Sequence, residues 1–428
     1  MKLVKMSLAT AVLLGASAFA IDNVKVNGDA KLYYTTDDKG TANLFESGAL
    51  GEGGPRVDSG GAAADTALRL GVTGDLLKGV SFGVTGYAVS ALGLEKNLVG
   101  NTWTGAHGRS SGTAVDDRAW IGEAWLATTV GKTTAKVGRM ELDTPLVYSE
   151  KWSIVPNTFG AGVLINQDLP DTTLVAAWVG QGNGLNVAGA NSLGGIDNNS
   201  SGVGIDGYMG AGASFGTFIN SGAYAAGAIN NSFKPLVAQA WYYNVSSIAD
   251  AFWLQADWDC QLVKGVKVGA QYSKMDTKGL LATHDDSSAY AFKLGYEGIE
   301  NLKVSAAYSK ADEKGTLKIA NVATNNLETA ESKLYTETFW NRGWVGRADA
   351  QSWNVKASYD VKDVAKFCAS YTNIDVDKTN NELDEIALSA SKSFGPLDGR
   401  LAYISTSSTE RNSGRHYNTL QAYLTLNF

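Results

Sequence analysis

No stretch of this chain beyond residue 20 approaches 18 uninterrupted apolar residues, so the sequence offers no transmembrane helix. Histidine is scarce. His107, His284 and His416 all fall in predicted loops, their spacing fits no metal-ligand pattern, and none is fixed beside a nucleophile. No catalytic residue, metal or cofactor is therefore expected. The two cysteines cannot form a disulfide framework. Cys260 sits at a predicted turn and Cys368 in a strand several hairpins away, so two free thiols are expected. Basic residues are not in excess. Without Lys2 and Lys5 of the leader, 34 Lys and Arg face 43 Asp and Glu, which argues against nucleic acid as a partner. The Gly-rich run from Gly51 to Arg56 does not open a helix after a strand, so it is no phosphate cradle. Proline is also rare, at 6 residues, and no shift in composition marks a linker.

What is present is alternation. The first 20 residues read as a secretory leader, with a basic start, an apolar centre and a cleavage site ending at Ala20. Residues 21–428 then form one domain. In the final stretch Leu420, Ala422, Leu424, Leu426 and Phe428 share one face, and Thr419, Gln421, Tyr423 and Thr425 the other. That strand is long enough to cross a bilayer at a tilt and ends on an aromatic. The pattern recurs along the chain. Short turns near Lys78, Gly131, Pro170, Asn230, Val263, Gly298, Lys362 and Gly395 alternate with longer polar connections. The expected fold is all-β, a transmembrane antiparallel barrel of 18 strands, with 16 as the alternative, short periplasmic turns and long extracellular loops. Tyr and Trp gather at strand ends in two belts, where amphipathic rings rest at the membrane interfaces. The expected location is the bacterial outer membrane, with its lipid and lipopolysaccharide as surroundings.

The wet face should line a lumen. The phase turns inward Arg69, Glu123, Lys136, Asp257, Lys267, Lys293, Lys303, Lys356 and Arg400, with Lys25, Lys31, Lys366, Asp29, Asp259 and Glu385. So many charges need water rather than a packed interior, which predicts passive diffusion of small hydrophilic solutes and ions. The basic excess either favours anions or is cancelled by pairing across strands. The connection 141–157 mixes apolar residues, two prolines and both signs of charge, as a loop folded inward to narrow a channel requires.

Gly138-Arg139, Asp143-Thr-Pro-Leu146 and Pro156-Asn-Thr-Phe159 followed by a Gly-rich strand resemble the constriction segment of OprD-type porins. Trp241-Tyr-Tyr-Asn-Val245 with Ala251-Phe-Trp253 is similar to the mid-barrel hairpin of that family, and the layout is similar to the major porins of Campylobacter-like bacteria. The resemblance implies an 18-stranded porin, often a homotrimer, whose third long loop narrows the pore. Arg139, Glu141, Asp143, Glu150 and Lys151 are the implied constriction residues, although Arg139 lies in the outward phase of its strand. The rival expectation is a surface adhesin or structural protein on a barrel scaffold. Its acidic loops (Asp37, Asp38, Glu46, Glu52, Asp116, Asp117, Asp285, Asp286) would hold divalent cations shared with lipopolysaccharide.

Overall fold

The structure, a computed structural model, describes residues 21–46, 61–90, 118–152, 154–183, 216–217, 222–324 and 330–428. The leader, His107, Gly51–Arg56, Glu52, Asp116 and Asp117 lie outside these residues.

Eighteen strands of eight or more residues follow one another around a closed antiparallel sheet, each paired with its neighbours in sequence. They are β1 (Asp22–Asp37), β2 (Gly61–Leu77), β3 (Val80–Ser90), β4 (Arg118–Val130), β5 (Thr133–Met140) and β6 (Phe159–Asn166). Next come β7 (Thr172–Gly182), β8 (Ala223–Asn230), β9 (Leu236–Val245), β10 (Ala249–Asp259), β11 (Val266–Thr277) and β12 (Ser287–Ile299). The last six are β13 (Leu302–Ala311), β14 (Ala350–Val361), β15 (Ala365–Val376), β16 (Asn381–Phe394), β17 (Leu397–Ser408) and β18 (Tyr417–Asn427). Gly216–Thr217 adds a two-residue rung beside the end of β7. Closure is between β1 and β18, where Leu32 faces Leu424 and Tyr34 faces Ala422. Closure leaves no unpaired edge, which a lipid-embedded sheet cannot tolerate.

All eight short turns fall at one end of the barrel, as the sequence predicts. Seven of them contain a residue at positive φ, among them Gly79, Gly131, Asn301 and Gly395. The turn expected at Gly298 lies at Glu300–Asn301 instead. A register shift between Tyr296 and Ile299 carries β12 further before it reverses. Cys260 and Cys368 are free thiols.

The oily face of the alternation lies outside. Leu254, Phe292, Leu294, Val355, Leu388 and Leu401 are each about half exposed or more. Around the loop end an outward belt of rings runs through Trp178, Tyr224, Tyr242, Phe252, Tyr272, Tyr290, Tyr308, Trp353, Tyr371 and Tyr403. At the turn end stand Trp258, Tyr296, Tyr359, Phe367, Phe394 and Phe428. The barrel mouth, by contrast, is filled. Its packed interior combines inward wall residues such as Trp253, Met275 and Ile374 with Leu146 and Val147 of one connection and Leu317, Ile319, Trp344 and Val345 of another.

Candidate pore constriction and lumen

Two connections, not one, turn inward. The segment 141–157 is expected to do so. The connection 312–349, between β13 and β14, is longer, and among its described residues only 312–314 are exposed. It carries apolar residues without periodicity and intersperses them with Lys333, Glu337, Arg342 and Arg347, so by sequence it reads as a polar outer loop. Its run of Tyr335, Phe339, Trp340 and Trp344 is the available signal that it packs.

The two segments are stitched to each other by backbone and side-chain hydrogen bonds. Val322 N–H donates to the Leu146 carbonyl at 2.9 Å. Asn321 Nδ2 donates to the Tyr148 carbonyl at 2.8 Å. Glu150 is the centre of this seam. Its carboxylate accepts from Trp152 Nε1 at 2.7 Å, Thr324 Oγ1 at 2.7 Å, Asn321 Nδ2 at 3.1 Å and the Glu331 N–H at 3.2 Å. It is 2% exposed, and burial raises its pKa above the usual carboxylate range. Glu150 therefore ties loop to loop and does not face an opening.

The longer segment is anchored to the wall as well. Glu385 on β16 accepts the N–H of Phe339 at 2.5 Å, of Trp340 at 3.1 Å and of Asn341 at 2.8 Å, with Asn341 Nδ2 also at 2.8 Å. Three consecutive donors on one carboxylate fix the direction in which Phe339 and Trp340 project. Tyr335 donates its hydroxyl to Asp257 at 2.8 Å, and Lys356 donates to the Glu337 carbonyl at 3.1 Å.

Below this seam lies a cavity of about 900 Å³. Lys151, Trp152, Trp340 and Arg342 form its roof, and Asp257, Lys267, Lys293, Lys303, Lys356 and Arg400 lie on its walls with Asp259, Glu297 and Lys366. A second cavity of about 730 Å³ shares Lys151, Lys366, Arg400 and Tyr423 with it. Part of the charge on these walls is cancelled by pairing. Lys293 reaches Asp257 at 3.0 Å, Lys267 reaches Asp259 at 2.5 Å and Lys303 reaches Glu297 at 3.2 Å. Lys356, Lys366 and Arg400 have no carboxylate within ion-pair distance among the described residues. The Arg400 guanidinium sits 4.3 Å from the Tyr423 ring centre and 5.7 Å from that of Phe339.

The other expected residues are scattered. Arg69 binds Asp29 through Nε at 2.8 Å and Glu141 at 3.3 Å, and Glu141 also holds Lys151 at 2.9 Å. Asp143 is paired with Lys333 and its side chain is 81% exposed. Glu123 on β4 pairs with Thr85 of β3 in the ladder, and the Lys136 ammonium on β5 lies 4.0 Å above the Trp125 ring. Neither borders the cavity. Arg139 does not join the constriction. It shares the outward face of β5 with Val137, which is 60% exposed, and donates to the Ile121 carbonyl at 3.0 Å. Gly138 at φ +127° is an irregularity, but it does not rotate Arg139 inward. Of the acidic loop residues, Asp38 accepts from Asn418 N–H at 2.5 Å and Asp286 from Thr277 N–H at 2.8 Å. Among the described residues no three His, Cys, Asp or Glu side chains group as a metal would require.

Comparison with known proteins agrees with the barrel fold. The family model of Gram-negative porins matches residues 261–422. No curated protein matches the sequence. Among solved structures, Pseudomonas aeruginosa OccK8 (OprE) is 16% identical, with 95% of this chain and 98% of that one covered and a TM-score of 0.69. P. aeruginosa OccK9 (OpdG) is 13% identical over 95% and 99%, with a TM-score of 0.70. P. aeruginosa OpdK, solved with vanillate, is 14% identical over 95% and 98%, with a TM-score of 0.68. At these identities the likeness is one of fold.

Proposed function

We infer that this chain is an outer-membrane porin through which small hydrophilic solutes diffuse passively, and that its narrow zone favours anions. The observation that carries the preference is the set of three cations, Lys356, Lys366 and Arg400, that face the cavity with no carboxylate within ion-pair distance among the described residues. Paired lysines contribute little net field, whereas an unpaired cation in a low-dielectric wall attracts a passing anion strongly. The rings of Tyr423 and Phe339 beside Arg400 suit a flat carboxylate, the class to which the vanillate in the OpdK structure belongs. Glu141, Asp143 and Lys151, with the segment 312–349, form the constriction on this reading. Lipopolysaccharide around the wall, assembly as a homotrimer and a layout like the Campylobacter-type major porins complete it.

Reversal potential in a planar bilayer under a salt gradient tests this. The wild type should favour the anion. The triple change Lys356→Gln, Lys366→Gln and Arg400→Gln should move the potential toward zero or past it, with conductance retained. A cation-selective wild type, or a potential that the triple change leaves in place, would overturn the preference. No conductance at any voltage would favour the adhesin reading.

A further inference from the structure

The two cavities meet in a neck, formed by the residues they share. Five side chains border both: Lys151, Lys366, Ser391, Arg400 and Tyr423. Four of these belong to one unbroken row of the ladder. Lys366 on β15 pairs with Ser391 on β16, Ser391 with Arg400 on β17, and Arg400 with Tyr423 on β18. Paired residues share a face of the sheet, so all four project into the lumen at one level. Neighbouring strands lie ~4.8 Å apart, which puts about 10 Å between the Lys366 and Arg400 backbones. Two long side chains close that gap over the Ser391 hydroxyl.

The fifth comes from the inward segment. Lys151 has a side chain 67% exposed and reaches Glu141 at 2.9 Å. Three cations and a hydroxyl thus gather where the cavities join, from the wall and from the loop. Lys366 and Arg400 have no carboxylate within ion-pair distance, and Arg400 Nε is enclosed without a hydrogen-bond partner, among the described residues. A planar carboxylate offers two oxygens and one negative charge, which Arg400 alone can match. Two further cations and a hydroxyl suit a group with three free oxygens and two charges. Carboxylates enter below the neck. Asp360, Asp363 and Asp398 border the lower cavity beside Lys31 and Lys392, and Asp360 stands across the ladder from Lys366. They weaken the field that holds an anion in the neck, as conduction requires.

We propose that the neck binds a phosphoryl group, a doubly charged tetrahedral oxyanion, and that inorganic phosphate and small phosphate monoesters are solutes of this channel. The row Lys366–Ser391–Arg400 holds the oxygens from the wall, and Lys151 approaches them from the loop. The rings of Tyr423 and Phe339 beside Arg400 take the organic part of an ester. The site rests on the reading of this chain as an anion-favouring porin.

Planar-bilayer recordings of the full-length porin at about 0.1 M potassium chloride test this, with inorganic phosphate or benzoate added at pH 8. In the wild type, phosphate should halve the chloride current at a concentration at least ten-fold below that of benzoate. Lys366→Gln and Ser391→Ala should each narrow that ratio three-fold or more. Lys392→Gln should leave it in place, because Lys392 pairs with Gly399 and donates to the Asp363 carbonyl at 2.7 Å. Equal half-blocking concentrations in the wild type, or a ratio that neither neck variant narrows, would overturn the site. The wild-type comparison decides alone if the variants fail to insert. With potassium phosphate replacing chloride on one side, the reversal potential should show that phosphate crosses, and block without crossing overturns the assignment of the solute. An anion-selective channel blocked equally by both anions overturns the site and spares the preference. A cation-selective channel that phosphate still blocks at the lower concentration does the reverse.

Discussion

Replacing Glu150 by alanine would remove the common acceptor of Trp152, Asn321, Thr324 and the Glu331 N–H. Those donors are enclosed, so leaving them unpaired should cost about 2–4 kcal/mol of local stability. Hydrogen exchange should show faster opening of residues 318–324 and 330–334, and single-channel records should become noisier. A shift of reversal potential without either change would mean that Glu150 faces the passage after all. Glu337 supplies a pH dependence. It lies enclosed in the longer inward segment, where its carboxylate accepts from Ser332 N–H at 2.6 Å and Thr338 N–H at 2.8 Å, with Glu331, Arg342 and Lys356 nearby. Burial pushes its pKa from 4.5 up to about 7. The packed loop therefore holds a proton that the open loop has released, and its packing weakens as pH rises through that interval. Exchange protection over 332–338, corrected for intrinsic rates, should be higher at pH 5 than at pH 8. Glu337→Gln should abolish the difference.

Strands and loops differ in how plainly the chain announces them. Every strand between β9 and β18 can be placed from its two-residue rhythm, because lipid outside and water inside impose opposite demands on successive residues. The turns were legible for a related reason, since reversal at positive φ selects Gly, Asn and Asp. Arg139 was also legible, and its phase, not its neighbourhood in a constriction motif, gives its orientation. The inward course of 312–349 was not. Glu150, Gln271 and Glu385 are 44 to 181 residues away from the groups they hold, and they hold them through backbone N–H groups that any sequence would supply. Glu385 shows the limit well: alternation turns it inward, but nothing in the sequence pairs it with residues 339–341.

For the molecule as a whole, the inward segments set how wide the passage is. Exchanging residues 317–346 for a short Gly-Ser link would leave β13 and β14 paired through Val304 and Ala357 while emptying much of the mouth. Single-channel conductance should then rise about two-fold or more, and larger solutes should pass in a liposome-swelling assay. Unchanged conductance would mean that the narrowest point lies elsewhere, in 141–157 alone.

The same arrangement bears on what the cell presents to its surroundings. Apart from 312–314, the described residues of a connection 38 residues long are buried or half-buried, so antibodies and phages that probe the surface find little of those residues to grip. Substitutions there would be felt by nutrients and not by an immune response, and variation driven by recognition should fall on the other outward connections.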